Sequence, residues 1–228
     1  MSMVARSLAN SFHVFTVDLR NHGDSFHHSS MTYLDMAKDI LAFMDEKKMG
    51  TASIVGHSMG GKCAMQTALS FPHRVNRIVV VDIAPKIYEP HWETYLNAML
   101  VLNFDFVKKR SDADKFLTEA IPNKVYRHFL LQNLERTTEN FYEWKSNLKA
   151  LMENKNNICA TVTGKPVSTN ALFIKGGSSP FIQDTDIDYI LKFFPAAKIK
   201  TISNAGHLVH FEAKEQFTNL LIEFLNED

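Results

Sequence analysis

Apolar and polar positions along the chain switch repeatedly between two periods. HVFTVDL (13–19) is a short β-rich run closed by the turn residues RNHGDS and predicts a strand. From Thr32 to Lys48, apolar Leu34, Ala37, Ile40, Leu41 and Met44 recur at helical spacing. TASIV (51–55) predicts a strand, and KCAMQTALSF (62–71) a helix stopped by Pro72. RIVVVDI (77–83) is almost wholly apolar, as a parallel strand buried on both faces requires. From about Pro90 to Ile158 the pattern becomes helical and rich in charge and aromatics. HWETYLNAMLVLN, DADKFLTEAI, NKVYRHFLLQNLE and FYEWKSNLKALMEN are the expected helices. Strand character returns at ALFIKGG (171–177) and KIKTIS (198–203), with helices expected near 186–194 and 214–225. Strand–helix alternation interrupted by a helical block predicts an α/β protein with a mostly parallel sheet. The core is expected to span 1–89 and 159–228, with a helical lid inserted at 90–158.

Composition narrows the function without fixing it. Basic and acidic residues balance at 25 each, so nothing marks a nucleic-acid partner. No apolar run approaches the roughly 18 residues of a membrane span, and MSMVARSLANSF lacks the long apolar stretch of a signal peptide. The two cysteines, Cys63 and Cys159, form neither a CxxC nor a ligand pattern and read as reduced core thiols. No metal or cofactor site is indicated.

Chemistry concentrates at GHSMGGK (56–62). G-x-S-x-G arises by chance in roughly one chain in ten or twenty of this length, so its weight comes from context. An apolar strand precedes it and a helix follows, which is the setting of a nucleophile elbow. Ser58 would then project above the sheet, with the helix N-terminus behind it favouring developing negative charge. A phosphate loop is excluded because Lys62 is followed by Cys63 and the first glycine is misplaced.

A serine nucleophile needs a base. His207 lies between the last strand and the last helix, beside Gly206. His210 is expected to point into helix packing, His27 and His28 to be solvated, and His57 to pack or hydrogen-bond. For the acid, Asp82 ends the apolar run VVVDIAP, where a charge is costly unless paired. It emerges at the carboxyl edge of the sheet, beside the elbow. Asp184 and Asp186 are the alternatives. The order Ser58, Asp82, His207 keeps nucleophile before acid before base.

DLRNHGDS, GHSMGGK, VVVDIAP, GGSSPFI and AGHLVHFE, in that order over nearly the whole chain, resemble the α/β-hydrolase-domain-containing protein 11 group and its relatives, the small bacterial short-chain esterases. The resemblance implies an α/β-hydrolase fold with a helical lid and a serine hydrolase acting on small or lipid-like esters or thioesters. It implies no cofactor, with Ser58, Asp82 and His207 as triad. It also implies a mitochondrial location, or a cytoplasmic one if no targeting segment lies upstream. Two departures stand out. Where the fold often places its acid, after the next-to-last strand, this chain has Ser178 and Ser179. Strands and an H-G-x-x-G-type loop, the family's second oxyanion donor, are not found in the 228 residues, leaving the Met59 backbone N–H. One lost donor costs roughly a hundred- to a thousandfold in rate. The chain is thus expected to be N-terminally shortened, and the alternative to an esterase is a catalytically impaired form that acts by binding. Trp92, Tyr95, Phe104, Phe106 and Trp144 would pack the lid or line an apolar pocket.

Overall fold

The computed structural model describes the backbone of residues 2–227 and the side chains of 4–227. In chain order the elements are α1 (Ser2–Leu8), α2 (Tyr33–Glu46), β1 (Ala52–His57), α3 (Met59–Ser70) and β2 (Val75–Val81). There follow α4 (Glu93–Leu100), α5 (Arg110–Leu117), α6 (Lys124–Leu131), β3 (Leu134–Arg136), β4 (Tyr142–Trp144), α7 (Leu148–Glu153) and α8 (Lys155–Cys159). The chain closes with β5 (Asn170–Gly176), α9 (Ile187–Phe193), β6 (Lys198–Ile202), α10 (Val209–Glu212) and α11 (Lys214–Leu225).

The chain divides into two compact units, one made of Asp18–Thr32 and Tyr88–Cys159 and the other of the remaining described residues. The larger unit holds a parallel four-stranded sheet in the order β1-β2-β5-β6. Alternation sorts its side chains. Val79, Val81, Leu172, Ile174 and Ile202 share one face with α1 and α11, through Val4, Leu8, Phe217, Leu221 and Phe224. Val80 and Phe173 face the other way, where Val80 lies against Gly61 of α3 and Phe173 meets the ring of Phe194 at 5.9 Å. Burial on both faces accounts for the unbroken apolar run Ile78–Val81 of β2.

Three expectations are corrected. HVFTVDL is not a strand: 13–19 runs without helix or ladder, and Phe15 and Val17 are 38% and 42% exposed. β propensity describes a fit to a half-buried pleated surface, and a ladder also needs a neighbour. The helical block is not wholly helical either. NKVYRHFLLQNLE ends in β3 and FYEWKSNLKALMEN opens in β4, and the two strands pair antiparallel, Leu134 opposite Trp144. Finally, Asp18–Thr32, expected in the core, belongs to the smaller unit. Its main-chain groups are satisfied there: Asn21 O accepts from Asn147 N–H at 3.0 Å and Met31 N–H donates to Asn154 Oδ1 at 3.1 Å. In the same unit the Trp144 indole N–H donates to Met99 O, and Phe104 meets the Trp144 ring edge-on. Both cysteines are buried, as thiols.

Lys62 is the largest side chain buried in α3. Its ammonium donates to the carbonyls of Lys86, at 2.8 Å, and Ala160, at 2.5 Å. These residues stand where the chain leaves the larger unit and returns to it. Thr161 Oγ1 donates to Pro85 O across the same neck. The lysine of GHSMGGK is therefore a clasp for two chain crossings. Lys62→Met should lower unfolding stability by about 2–4 kcal/mol, the scale of two charge-assisted hydrogen bonds to carbonyls left buried. Urea melts of both chains test this; equal midpoints would contradict the clasp.

Candidate functional site

The site forms at the carboxyl edge of the sheet because each strand hands its last ladder hydrogen bond to the residue just beyond it. Ser58 N–H donates to Val81 O at 3.0 Å, Asp82 N–H to Ile174 O at 2.9 Å and Gly177 N–H to Ile202 O at 2.8 Å. Ser58 and Asp82 are thus pinned in register immediately after β1 and β2. Both have positive φ, 53° and 51°. For non-glycine residues that conformation is held only where the surroundings enforce it, and it clusters at functional sites. At Ser58 it turns the chain straight from β1 into α3, whose first turn follows with Gly61 and Lys62 N–H donating to Ser58 O.

Glycine is required at two points of this elbow. A Cβ on Gly56 would sit 2.1 Å from Gly60 O, and one on Gly61 would sit 2.7 Å from Ile83 Cγ2. A Cβ on Gly60, the closing glycine of G-x-S-x-G, would meet nothing within 4 Å. Close approach of α3 to β1 and β2 therefore depends on Gly56 and Gly61. α3 begins at Met59, so the Met59 N–H belongs to the first-turn donors that have no partner within their own helix.

Asp82 is fully buried. Its carboxylate is surrounded by donors: Gly176 N–H reaches Oδ1 at 3.0 Å, His207 Nδ1–H reaches Oδ2 at 2.8 Å, and the Ser179 hydroxyl also donates to Oδ2. Ser179, standing where the resemblance leads one to expect an acid, thus binds the acid candidate Asp82, just beyond β2. The alternatives are engaged elsewhere. Asp184 is exposed and pairs with Lys175, whose ammonium holds its carboxyl below the usual carboxylate range. Both oxygens of Asp186 accept from Lys86 Nζ.

The base candidate is held from several sides. The His207 ring stacks on Phe181, centroids 3.9 Å apart and planes at 22°. Glu212 accepts from the N–H groups of Gly206 and Leu208, the residues flanking His207. His57 Nε2–H donates to the His207 carbonyl at 2.8 Å. The stacking of Phe181 and the hydrogen bond of Ser179 to Asp82 leave no mark in the sequence pattern, since a single contact has no period. AGHLVHFE did contain the one usable hint, a glutamate five residues beyond the histidine.

Three imidazoles lie together, His57 with its centroid 4.6 Å from His207 and 4.8 Å from His210. His210 also faces the ring of Phe217, as packing required, and its Nδ1 is buried without a hydrogen-bond partner. Burial pushes the His210 pKa down from 6.5 to about 4. His27 and His28 lie in the smaller unit, His28 exposed there. Among the described residues no group of three His, Cys, Asp or Glu is arranged to hold a metal ion. No helix among them is long and apolar enough to cross a membrane.

The chain is similar to known proteins over nearly its whole length. The family described as "alpha/beta hydrolase fold" matches residues 1–214. The mouse sn-1-specific diacylglycerol lipase ABHD11 is 36% identical over 219 residues, covering 93% of this chain and 71% of that protein. Esterase YbfF of Escherichia coli is 30% identical over 229 residues, covering 100% and 88%. A solved marine microorganism esterase superposes with a TM-score of 0.94 at 36% identity, covering 97% of this chain and 88% of its own.

The depressed His210 pKa has a consequence for stability. Between pH 6.5 and about 4 the unfolded chain binds a proton at His210 that the folded chain refuses. Stability therefore falls as pH drops through that window, by about 3 kcal/mol from this residue at its lower end. His210→Phe should remove that part of the slope. Denaturation midpoints of both chains at pH 7, 5.5 and 4.5 test it; parallel slopes would refute it.

Proposed function

The chain belongs to the alpha/beta hydrolase fold family, and on that premise we propose that it is a carboxylic ester hydrolase working through an acyl-enzyme on Ser58. The observation that carries this reading is the Asp82–His207 hydrogen bond at 2.8 Å, made at the strand end adjacent to the elbow serine. The Asp82 carboxylate holds the His207 proton on Nδ1, which leaves Nε2 as an acceptor. His207 Nε2 takes the Ser58 hydroxyl proton as Oγ attacks the ester carbonyl. The oxyanion forms at the N-terminus of α3, where the Met59 N–H and the helix dipole favour negative charge. Collapse of the tetrahedral adduct breaks the ester C–O bond, and His207 returns the proton to the leaving alcohol. Water, deprotonated by the same imidazole, then attacks the acyl-serine, and as that adduct collapses the imidazolium returns the proton to Ser58 Oγ, releasing the acid and the free serine. Asp82 orients and stabilises the imidazolium without being protonated itself.

The substrates in this reading are small or lipid-like esters or thioesters. The support is the esterase and lipase names of relatives at 30% and 36% identity. A second reading, an impaired form that works by binding, draws on residues 13–19 running without ladder partners. Kinetics separates the two. With short-chain p-nitrophenyl esters, Ser58→Ala should abolish turnover and Asp82→Asn should lower kcat by about 10⁴-fold. Asp184→Asn should stay near wild type. A dead Asp184→Asn beside a normal Asp82→Asn would overturn the acid assignment, and hydrolysis unchanged in Ser58→Ala would overturn the mechanism.

A further inference from the structure

We infer that His57, the residue before the nucleophile, is a positioning residue that fixes the main chain of the base through a hydrogen bond from its Nε2–H to the His207 carbonyl. The inference rests on the roles of Ser58, Asp82 and His207 proposed above and deepens them.

A carbonyl oxygen only accepts, so the 2.8 Å contact places a proton on His57 Nε2. The ring is also uncharged. Burial, reinforced by the His207 and His210 imidazoles beside it, pushes its pKa well below 6.5. His57 is therefore a neutral Nε2–H imidazole that neither gains nor gives up a proton during turnover. It is a strut of fixed polarity next to a base whose charge must change.

Its place in the fold gives the strut its use. The contacts of the His207 side chain, Asp82 at Nδ1 and Phe181 against the ring, set the ring on the acid. Glu212 holds the N–H groups on either side of the base from within the same segment of chain. None of these starts from the nucleophile's own strand: Asp82 is linked to Ser58 only through Val81 O, which accepts from Ser58 N–H. His57 does, because it is the last residue of β1 and Ser58 is the next residue. One hydrogen bond ties the nucleophile's strand to the loop of the base, across 150 residues of sequence. A misplacement of about 1 Å between reacting groups can cost a hundredfold in rate, which is what such a tie prevents.

The test compares two replacements. His57→Gln keeps an N–H donor at about the reach of Nε2, and His57→Phe keeps the ring packing against His207 and His210 without the donor. In ester hydrolysis, His57→Phe should lose roughly 10- to 100-fold in kcat with KM changed less than about twofold, while His57→Gln recovers most of the loss. A merely structural residue would show both variants falling together with their melting temperatures. Imidazole ¹⁵N NMR on the unmodified chain gives a reading that needs no variant to fold. His57 should appear as the uncharged Nε2–H tautomer at pH 7 to 8, where the base acts. Wild-type kcat in a folded His57→Phe, or a His57 that is the Nδ1–H tautomer or titrates in that range, overturns the inference. Full activity in Ser58→Ala would instead sink the triad reading, and the NMR result would still judge the His57 bond separately.

Discussion

A carboxylate buried away from solvent must be surrounded by donors, and Asp82 is such a group. Removing an ionised carboxyl from water costs several kcal/mol unless hydrogen bonds replace its hydration. The replacement comes from three stretches of chain: the end of β5 through Gly176, the loop after it through Ser179, and the loop after β6 through His207. None of these can move far without leaving a buried charge unpaired. The cost of burying Asp82 therefore holds His207 in one place, and a single electrostatic requirement couples the end of the sheet to the geometry of the candidate site.

The elbow adds a second constraint of a different kind. Ser58 and Asp82 both sit at positive φ, and both are held there by the last rung of the parallel ladder. The strain at Ser58 is sustained by the close approach of α3, for which Gly56 and Gly61 leave room. Around the base the balance also tilts against stability. His210 is kept uncharged with an unsatisfied Nδ1, and His57 is kept uncharged beside it. These two depressed imidazoles lower acid stability, and they give His207 neighbours that do not compete for protons near neutral pH.

Much of this was legible in the sequence, and the limits of legibility have physical causes. The apolar run ending in Asp82 can be read as a parallel strand because burial on both faces leaves almost no polar position. The placement of Asp82 just beyond that strand follows from it, while Ser58 is read from the glycines around it and His207 from the loop between the last strand and the last helix. HVFTVDL has equally good β propensity and is not a strand, because propensity carries no information about whether a neighbouring strand pairs with it. FYEWKSNLKALMEN was read as one helix although its first residues pair with Leu134–Arg136, since three-residue strands are too short to show a period. Asp18–Thr32 was placed in the core by adjacency, while its hydrogen bonds run to residues about 125 positions away in the smaller unit. The contacts of Ser179 and Phe181 and the donor role of His57 were hidden for a common reason. Each acts through one specific contact, and a pattern of apolar positions does not record it.

The most direct test of the central claim is active-site titration of the intact chain with a fluorophosphonate, followed by peptide mapping of the adduct. A phosphonyl group on Ser58 alone, formed by the native chain and not by the heat-denatured one, is the predicted result. It would mean that serine, base and oxyanion donor act together in this molecule. A chain that melts cooperatively yet takes up no label, or carries it on another residue, would contradict the account.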